Sequence, residues 1–333
     1  MNTYLIKKTD ILKVLDTKTS IEAAENAFRI YGQDSFQMPS KSYINMEAYG
    51  GDYWSMLAYI PEIPIVGLKA GNVHPENYSR NMPTIMATIQ LVDPVNGFLL
   101  AVMDGSLITH MRTGAAAAIA SKYLANKNPQ TMGFIGAGAQ AMALLDALMQ
   151  VYPEIQKVKI FDIKPEKSQL FKEYIQSQYK PEVEIMDRTA GAVTECQIVN
   201  TTTSARQPLF SAAAITPGTH INAMGADTEG KQEMAPYVLK NSILVVDDWR
   251  QASMIGECNV PYHMGELTRN DVDAVFSDVV TGKNEGRREE SDITIFDSSG
   301  LALQDVVTAW GVYNLLVGND DLRNGLTTLN FLD

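Results

Sequence analysis

Residues 131–141 read TMGFIGAGAQA, with Gly136, Gly138 and Ala141 spaced G-x-G-x-x-A after a short apolar run. Apolar residues at helical spacing follow over 142–149. A strand, a tight glycine turn and a helix in that order build a phosphate cradle. Gly136 permits the turn, Gly138 lets the backbone approach a pyrophosphate, and a small residue at 141 lets helix and strand pack closely. Ala139 and Gln140, opening the helix, offer free N–H groups to the phosphates. Residues 158–161 read as the next strand, ending at Asp162, where a carboxylate can bind the ribose hydroxyls of a dinucleotide. Lys164, two residues on, is a cation that can swing toward a 2′-phosphate instead. The chemistry implied is dinucleotide binding, with NAD favoured over NADP. The competing reading is a glycine-rich turn in a flavodoxin-like domain without nicotinamide.

The elements that must position these groups fall into two regions. Residues 4–6 read as a strand. Thr9 or Asp10 is expected to cap a helix through about Leu15, and Ser20 another through about Tyr31. Strand character follows at 41–46, 53–60 and 65–70. Strands 84–92 and 98–102 flank DPVNG, a strong hairpin signal. This region is α+β, with a mostly antiparallel sheet. An alanine-rich helix over 115–124 leads onward. Helix 166–179, strand 183–185, a short helix over 190–195, and strands 196–200, 219–224, 242–246 and 294–296 then follow. Alternating strands and helices predict a doubly wound parallel sheet, whose strand C-termini form the ligand crevice. Polar residues gather at those ends, among them Thr201, Thr203, Gly225, Asp227 and Ser299. A last helix over 301–310 is long enough to return to the first region.

The chain has 333 residues, a net charge of −12 and two cysteines. Its length suggests two domains. The acidic balance argues against nucleic acid and anionic membranes as partners, because both need a basic face. No apolar run is long enough to span a bilayer, and the first residues lack a signal-peptide pattern. Cys196 and Cys258 form no C-x-x-C pair, so a reducing cytoplasm is expected. His74, His110, His220 and His263 are scattered without ligand spacing, and no metal is expected.

VGLKAGNVHPEN, MPTIMATIQLVDPVNGFLLAVMDGSLITHMRTGAAAA, GFIGAGAQA, GTHINAMGADTEGKQE and ITIFDSSGLALQDV occur in this order along the chain. The chain thereby resembles the ornithine cyclodeaminase/mu-crystallin family over nearly its whole length. MPSKSYI, RTGAA, GADTEGKQE and VVDDWRQA bring it near the archaeal-type alanine dehydrogenase branch. The resemblance implies a homodimer and a pyridine nucleotide lying across a cleft. It implies a Rossmann-type NAD-binding domain over 115–304, and an α+β substrate-binding and dimerisation domain over 1–114 and 305–333.

Carried over residue by residue, Lys69 matches the family's active-site lysine. A lysine inside the apolar stretch 66–70 is odd on pattern alone, unless it reaches solvent from an edge strand. Burial near a second cation would lower its pKa and suit it to acid and base work. Arg112 matches an arginine that faces the substrate carboxylate or the cofactor phosphates; Thr113 follows it. The alternative for Arg112 is a salt bridge between domains. Lys41 stands where a second cation for the carboxylate is expected. Asp227 matches the aspartate of the family's G-x-D-x-x-G-K segment and is a candidate to take the substrate amine's proton, or else fixes its loop. Trp54 departs from the family, replacing a glutamate in ornithine cyclodeaminases and an arginine in the alanine dehydrogenase branch. With the small Ala70 and Gly71, it puts both ornithine and alanine in doubt and suggests a roomier or more apolar pocket.

The reading is an NAD(H)-dependent oxidoreductase acting on the Cα–N bond of a small L-amino acid. The alternatives are a diamino-acid cyclodeaminase, a ketimine reductase, an N-substituted amino acid synthase and a silent mu-crystallin-like binding protein.

Overall fold

The structure, a computed structural model, describes residues 2–332. It divides into two compact units. The first takes the chain up to Arg112 together with the part from Leu301 onward; the second is Thr113–Gly300.

The first unit is built on a seven-stranded sheet. Its strands are β1 (Thr3–Ile6), β2 (Ser42–Met46), β3 (Gly51–Ile60), β4 (Ile65–Val73), β5 (Ile85–Val92), β6 (Leu99–Asp104) and a short chain-end strand, Thr327–Leu329. The order is Thr327–Leu329, β1, β6, β5, β4, β3, β2, and every neighbouring pair is antiparallel except β1 with β6. The hairpin between β5 and β6 forms as read: Asp93 accepts the Val95 N–H, and Gly97 takes φ +75° to close the turn.

Along β4 the side chains alternate. Ile65, Gly67, Lys69 and Gly71 point to the buried face, and the residues between them are half-buried. Trp54, Met56, Ala58 and Ile60 of β3 share that face. The long helix Ala302–Val317 packs across it. Gly67 makes this approach possible, since a Cβ there would stand 2.4 Å from Val306 Cγ2. This helix also packs on helix Thr17–Gly32.

Several boundaries differ from the sequence reading. Helix Thr17–Gly32 is capped by Asp16, which accepts the Thr19 N–H, while Ser20 lies buried inside the helix. The first helix covers only Lys8–Ile11. The alanine-rich helix starts at Gly105 and runs to Leu124, carrying the chain from one unit into the other. The last helix continues past residue 310 to Val317 because its apolar stripe continues. Strand Thr327–Leu329 was not anticipated.

The second unit is an eight-stranded, wholly parallel sheet. Its strands are β7 (Thr131–Ile135), β8 (Lys157–Phe161), β9 (Glu182–Ile185), β10 (Ile198–Thr201), β11 (His220–Ala223), β12 (Ile243–Val246), β13 (Ala274–Val275) and β14 (Thr294–Asp297). The order is β13-β12-β14-β11-β10-β7-β8-β9. Strand order reverses between β7 and β10, and that is where open α/β sheets bind their ligands. The central strands are buried on both faces, which is why they read as continuous apolar runs. The segment read as a helix over 190–195 is only a 3-10 turn, Thr189–Ala192, with Val193 as its cap, and Glu195 further on takes the left-handed region at φ +59°.

Candidate functional site

Lys69 lies in the middle of the first unit's sheet, between Met56 of β3 and Ile89 of β5. It is therefore not an edge lysine, and it is 1% exposed. Its Nζ meets Asp305 Oδ2 at 2.6 Å and donates to the Thr109 hydroxyl at 3.4 Å. Arg112, on helix Gly105–Leu124, donates from Nε to Asp305 Oδ1 at 3.1 Å and from Nη1 to Gln304 Oε1 at 3.2 Å. One carboxylate from the first turn of helix Ala302–Val317 thus bridges two cations, one on a strand and one on another helix. Burial drives the Lys69 ammonium down to about 7; Asp305 opposes this, while Arg112 and Lys41 add to it. An amine poised near neutrality can give or take a proton at working pH.

Trp54 forms a wall of this site. The Lys69 Nζ lies 5.2 Å from its ring centroid and the Lys41 Nζ 4.8 Å; Lys41 also sits 4.6 Å from the Tyr43 ring. Trp54 pairs with Gly71 across β3 and β4. A Cβ at 71 would come within 2.8 Å of the indole, so the glycine makes room for the tryptophan. The pairing explains the glycine at 71, which accommodates the tryptophan ring. Arg112 bridges to Asp305 within its own unit. Neither Asp305 nor Gln304 was singled out from the sequence. Their only signal was polarity at the start of an otherwise apolar helix. Gln304 is wholly buried, and its Nε2 has no hydrogen-bond partner among the described residues.

In the second unit the glycine cradle has the expected backbone. Gly136 takes φ +94°, and a Cβ there would stand 2.8 Å from the Thr202 hydroxyl oxygen, so only glycine fits. Gly138 caps helix Ala139–Val151, and a Cβ at 138 would meet nothing within 4 Å. Space is thus left at Gly138, and Ala139 after it is exposed, as a phosphate at the helix start needs. Ala141 is fully buried, as its packing role requires. Thr113 is buried as well.

Asp162 binds two backbone N–H groups: Ala137 to Oδ2 at 2.8 Å and Lys164 to Oδ1 at 2.9 Å. It therefore pins the glycine loop as well as ending its strand. The Lys164 side chain is exposed.

Four of the remaining candidates, Thr201, Thr203, Gly225 and Ser299, are held by buried acids. Glu233 accepts from the hydroxyl of Thr201, from the N–H and hydroxyl of Thr203, and from the N–H of Gly225. The hydroxyls of Thr201 and Thr203 thus donate to Glu233, which holds the strand ends in place. Ser299 likewise donates to Asp247. Asp227, after β11, is ion-paired with Lys231 and half-exposed. His220 is a core residue, hydrogen-bonded to Thr294 and Asn222, and burial takes its imidazole down to about 3.

A parallel sheet with a glycine cradle at its switch point, in a chain whose other unit holds a buried lysine and arginine on one carboxylate, defines a dinucleotide-binding α/β protein with a second domain. The sequence model of the ornithine cyclodeaminase/mu-crystallin family matches residues 1–320, and the chain belongs to that family. It is 40% identical over 313 residues to an alanine dehydrogenase of Archaeoglobus fulgidus, covering 94% of this chain and 95% of that one. Its structure is similar to an archaeal alanine dehydrogenase dimer with bound NAD, with a TM-score of 0.94, 38% identity and full coverage of both chains. It is also similar to the Delta(1)-pyrroline-2-carboxylate reductase of Thermococcus litoralis in complex with NADH and L-proline. That match has a TM-score of 0.92 and 31% identity, and covers 98% of this chain and all of the other.

Proposed function

We propose that the protein is an NAD(H)-dependent oxidoreductase acting on the Cα–N bond of a small L-amino acid. The observation that carries this is Lys69, buried and poised near neutrality beside Arg112. With Lys69 neutral, Arg112 balances Asp305 and nearby Lys41 leaves the site positive, which suits a substrate carboxylate. Arg112 Nη2, without a partner among the described residues, is placed to donate to that carboxylate, with Lys41 as the second cation. Neutral Lys69 takes the proton of the substrate ammonium, freeing the nitrogen lone pair to form C=N as the Cα hydride leaves. Bound NAD supplies the hydride acceptor, and NADH the donor in the reverse direction. Water adds to the imine, and the carbinolamine collapses to a 2-oxo acid and ammonia. Asp227 is the second proton-handling group in this proposal.

The glycine cradle fits the dinucleotide because it has a left-handed glycine, an open helix N-terminus and a fixed carboxylate at the next strand end. A homodimer is part of the proposal. The structural relative is a dimer, and the outer face of β2 and β3 exposes Ile44, Tyr53 and Leu57. A cytoplasmic setting is also proposed, since both cysteines are free and buried.

The test is NADH absorbance with a panel of L-amino acids, and with 2-oxo acids plus ammonium. Net NADH formation from an amino acid supports the reading, and silence across the panel refutes it. A second reading, reduction of a cyclic imino acid, is favoured by the apolar Trp54 wall, which suits a ring better than a charged side chain. NADH consumption with Δ1-pyrroline-2-carboxylate but not with a 2-oxo acid plus ammonium would select it.

A further inference from the structure

We infer that Asp305 is the positioning residue of the site: its single carboxylate fixes the spacing of Lys69 and Arg112 and holds the lysine in its working state. This rests on the proposed roles of those two cations.

Each Asp305 oxygen is committed, Oδ2 to Lys69 and Oδ1 to Arg112, and the side chain has no exposure. The two cations come from different elements, so neither backbone sets their separation; the bridging carboxylate does. The carboxylate itself is fixed. It stands in the first turn of a 16-residue helix, where the helix dipole favours an anion, and Gly67 lets that helix close onto β4. Gln304, next in the chain, holds Arg112 from the same turn. Among the described residues, the groups that act on Lys69 are Asp305, Arg112, Lys41, the Trp54 ring and the Thr109 hydroxyl, and Asp305 is the anion of this set. Its removal leaves two buried cations facing each other, which pushes the lysine toward its neutral form.

The experiment compares wild type with Asp305→Asn and Asp305→Glu in two measurements. The first is the pH titration of Lys69 by the 13Cε shift of labelled lysine, assigned with Lys69→Met. The second is kcat and KM for the amino acid that gives NADH. Asp305→Asn is expected to titrate well below the wild type and to lose roughly a hundredfold in kcat, as misplaced reacting groups do. Asp305→Glu keeps the charge on a longer arm. It is expected to titrate near the wild type yet turn over more slowly, and it decides the matter if the asparagine variant does not fold. An unchanged Lys69 titration in Asp305→Asn overturns the inference, even if the variant is less heat-stable. So does wild-type kcat in Asp305→Glu. The titration needs no turnover, so a wild type inactive on every amino acid would refute the proposed function and leave the Lys69 shift to judge Asp305.

Discussion

At the scale of single residues, the decisive fact is that an ammonium is buried in a sheet with one anion and two further cations around it. Lys69→Ala is expected to abolish turnover while NADH still binds, as NADH fluorescence would report. The pH dependence has a definite sign. Oxidation needs the neutral amine, so its kcat/KM is expected to climb with pH up to about 7 and then level off. The reductive direction needs the ammonium and is expected to decline above the same pH. Opposite limbs in the two directions are the check. Asp162 carries the second residue-scale prediction. A 2′-phosphate about 4 Å from its carboxylate meets a repulsion of about 4 kcal/mol at an effective dielectric of about 20. NADH is therefore expected to exceed NADPH in kcat/KM, and Asp162→Ser to narrow the gap. Since Asp162 also anchors the Ala137 N–H, the serine variant is expected to bind NADH more weakly too.

At the scale of elements, a glycine and a group of buried acids decide how the site parts are held. Gly67→Ala would drive a methyl into Val306 and lift helix Ala302–Val317 from β4, taking Asp305 away from Lys69. A loss of about 1–3 kcal/mol in stability is expected from such overpacking, with a fall in kcat that exceeds any rise in KM. In the second unit, burial raises Asp247 to about 7 and Asp297 to about 6. In the unfolded chain both titrate near 3.8. The folded state therefore binds more protons between pH 4 and 7, so their stabilising contribution is full below about 4 and is lost as pH rises toward 7. Thermal unfolding is expected to shift to lower temperature across that window, and Asp247→Asn to flatten the trend. A melting temperature that climbs from pH 4 to 7 would contradict this.

At the scale of the whole molecule, the apolar outer face of β2 and β3 makes a prediction about assembly. Ile44 is 62% exposed and stands beside Tyr53 in register, on the face opposite Trp54. Placing a charge there by Ile44→Glu is expected to shift the particle from dimer to monomer in light scattering coupled to size exclusion. A wild-type monomer at all concentrations would refute the dimer.

The sequence by itself determined the parallel sheet, the glycine cradle and the oddity of Lys69, because those features are local. Glycine spacing, strand-end polarity and a lysine in an apolar run are each legible within a dozen residues. The antiparallel sheet was legible through its alternation and its DPVNG turn. Only the tertiary structure decided what Lys69 and Arg112 share. Asp305 is distant from both along the chain, and a carboxylate at the start of an apolar helix looks like an ordinary dipole partner. The same holds for Glu233, whose carboxylate ties together Thr201, Thr203 and Gly225 from a distant point in the chain. Trp54 and Gly71 looked like two separate departures, and their pairing across β3 and β4 makes them one. Burial of a charge and the choice of its partner are set by long-range packing, which a pattern of neighbouring residues does not encode.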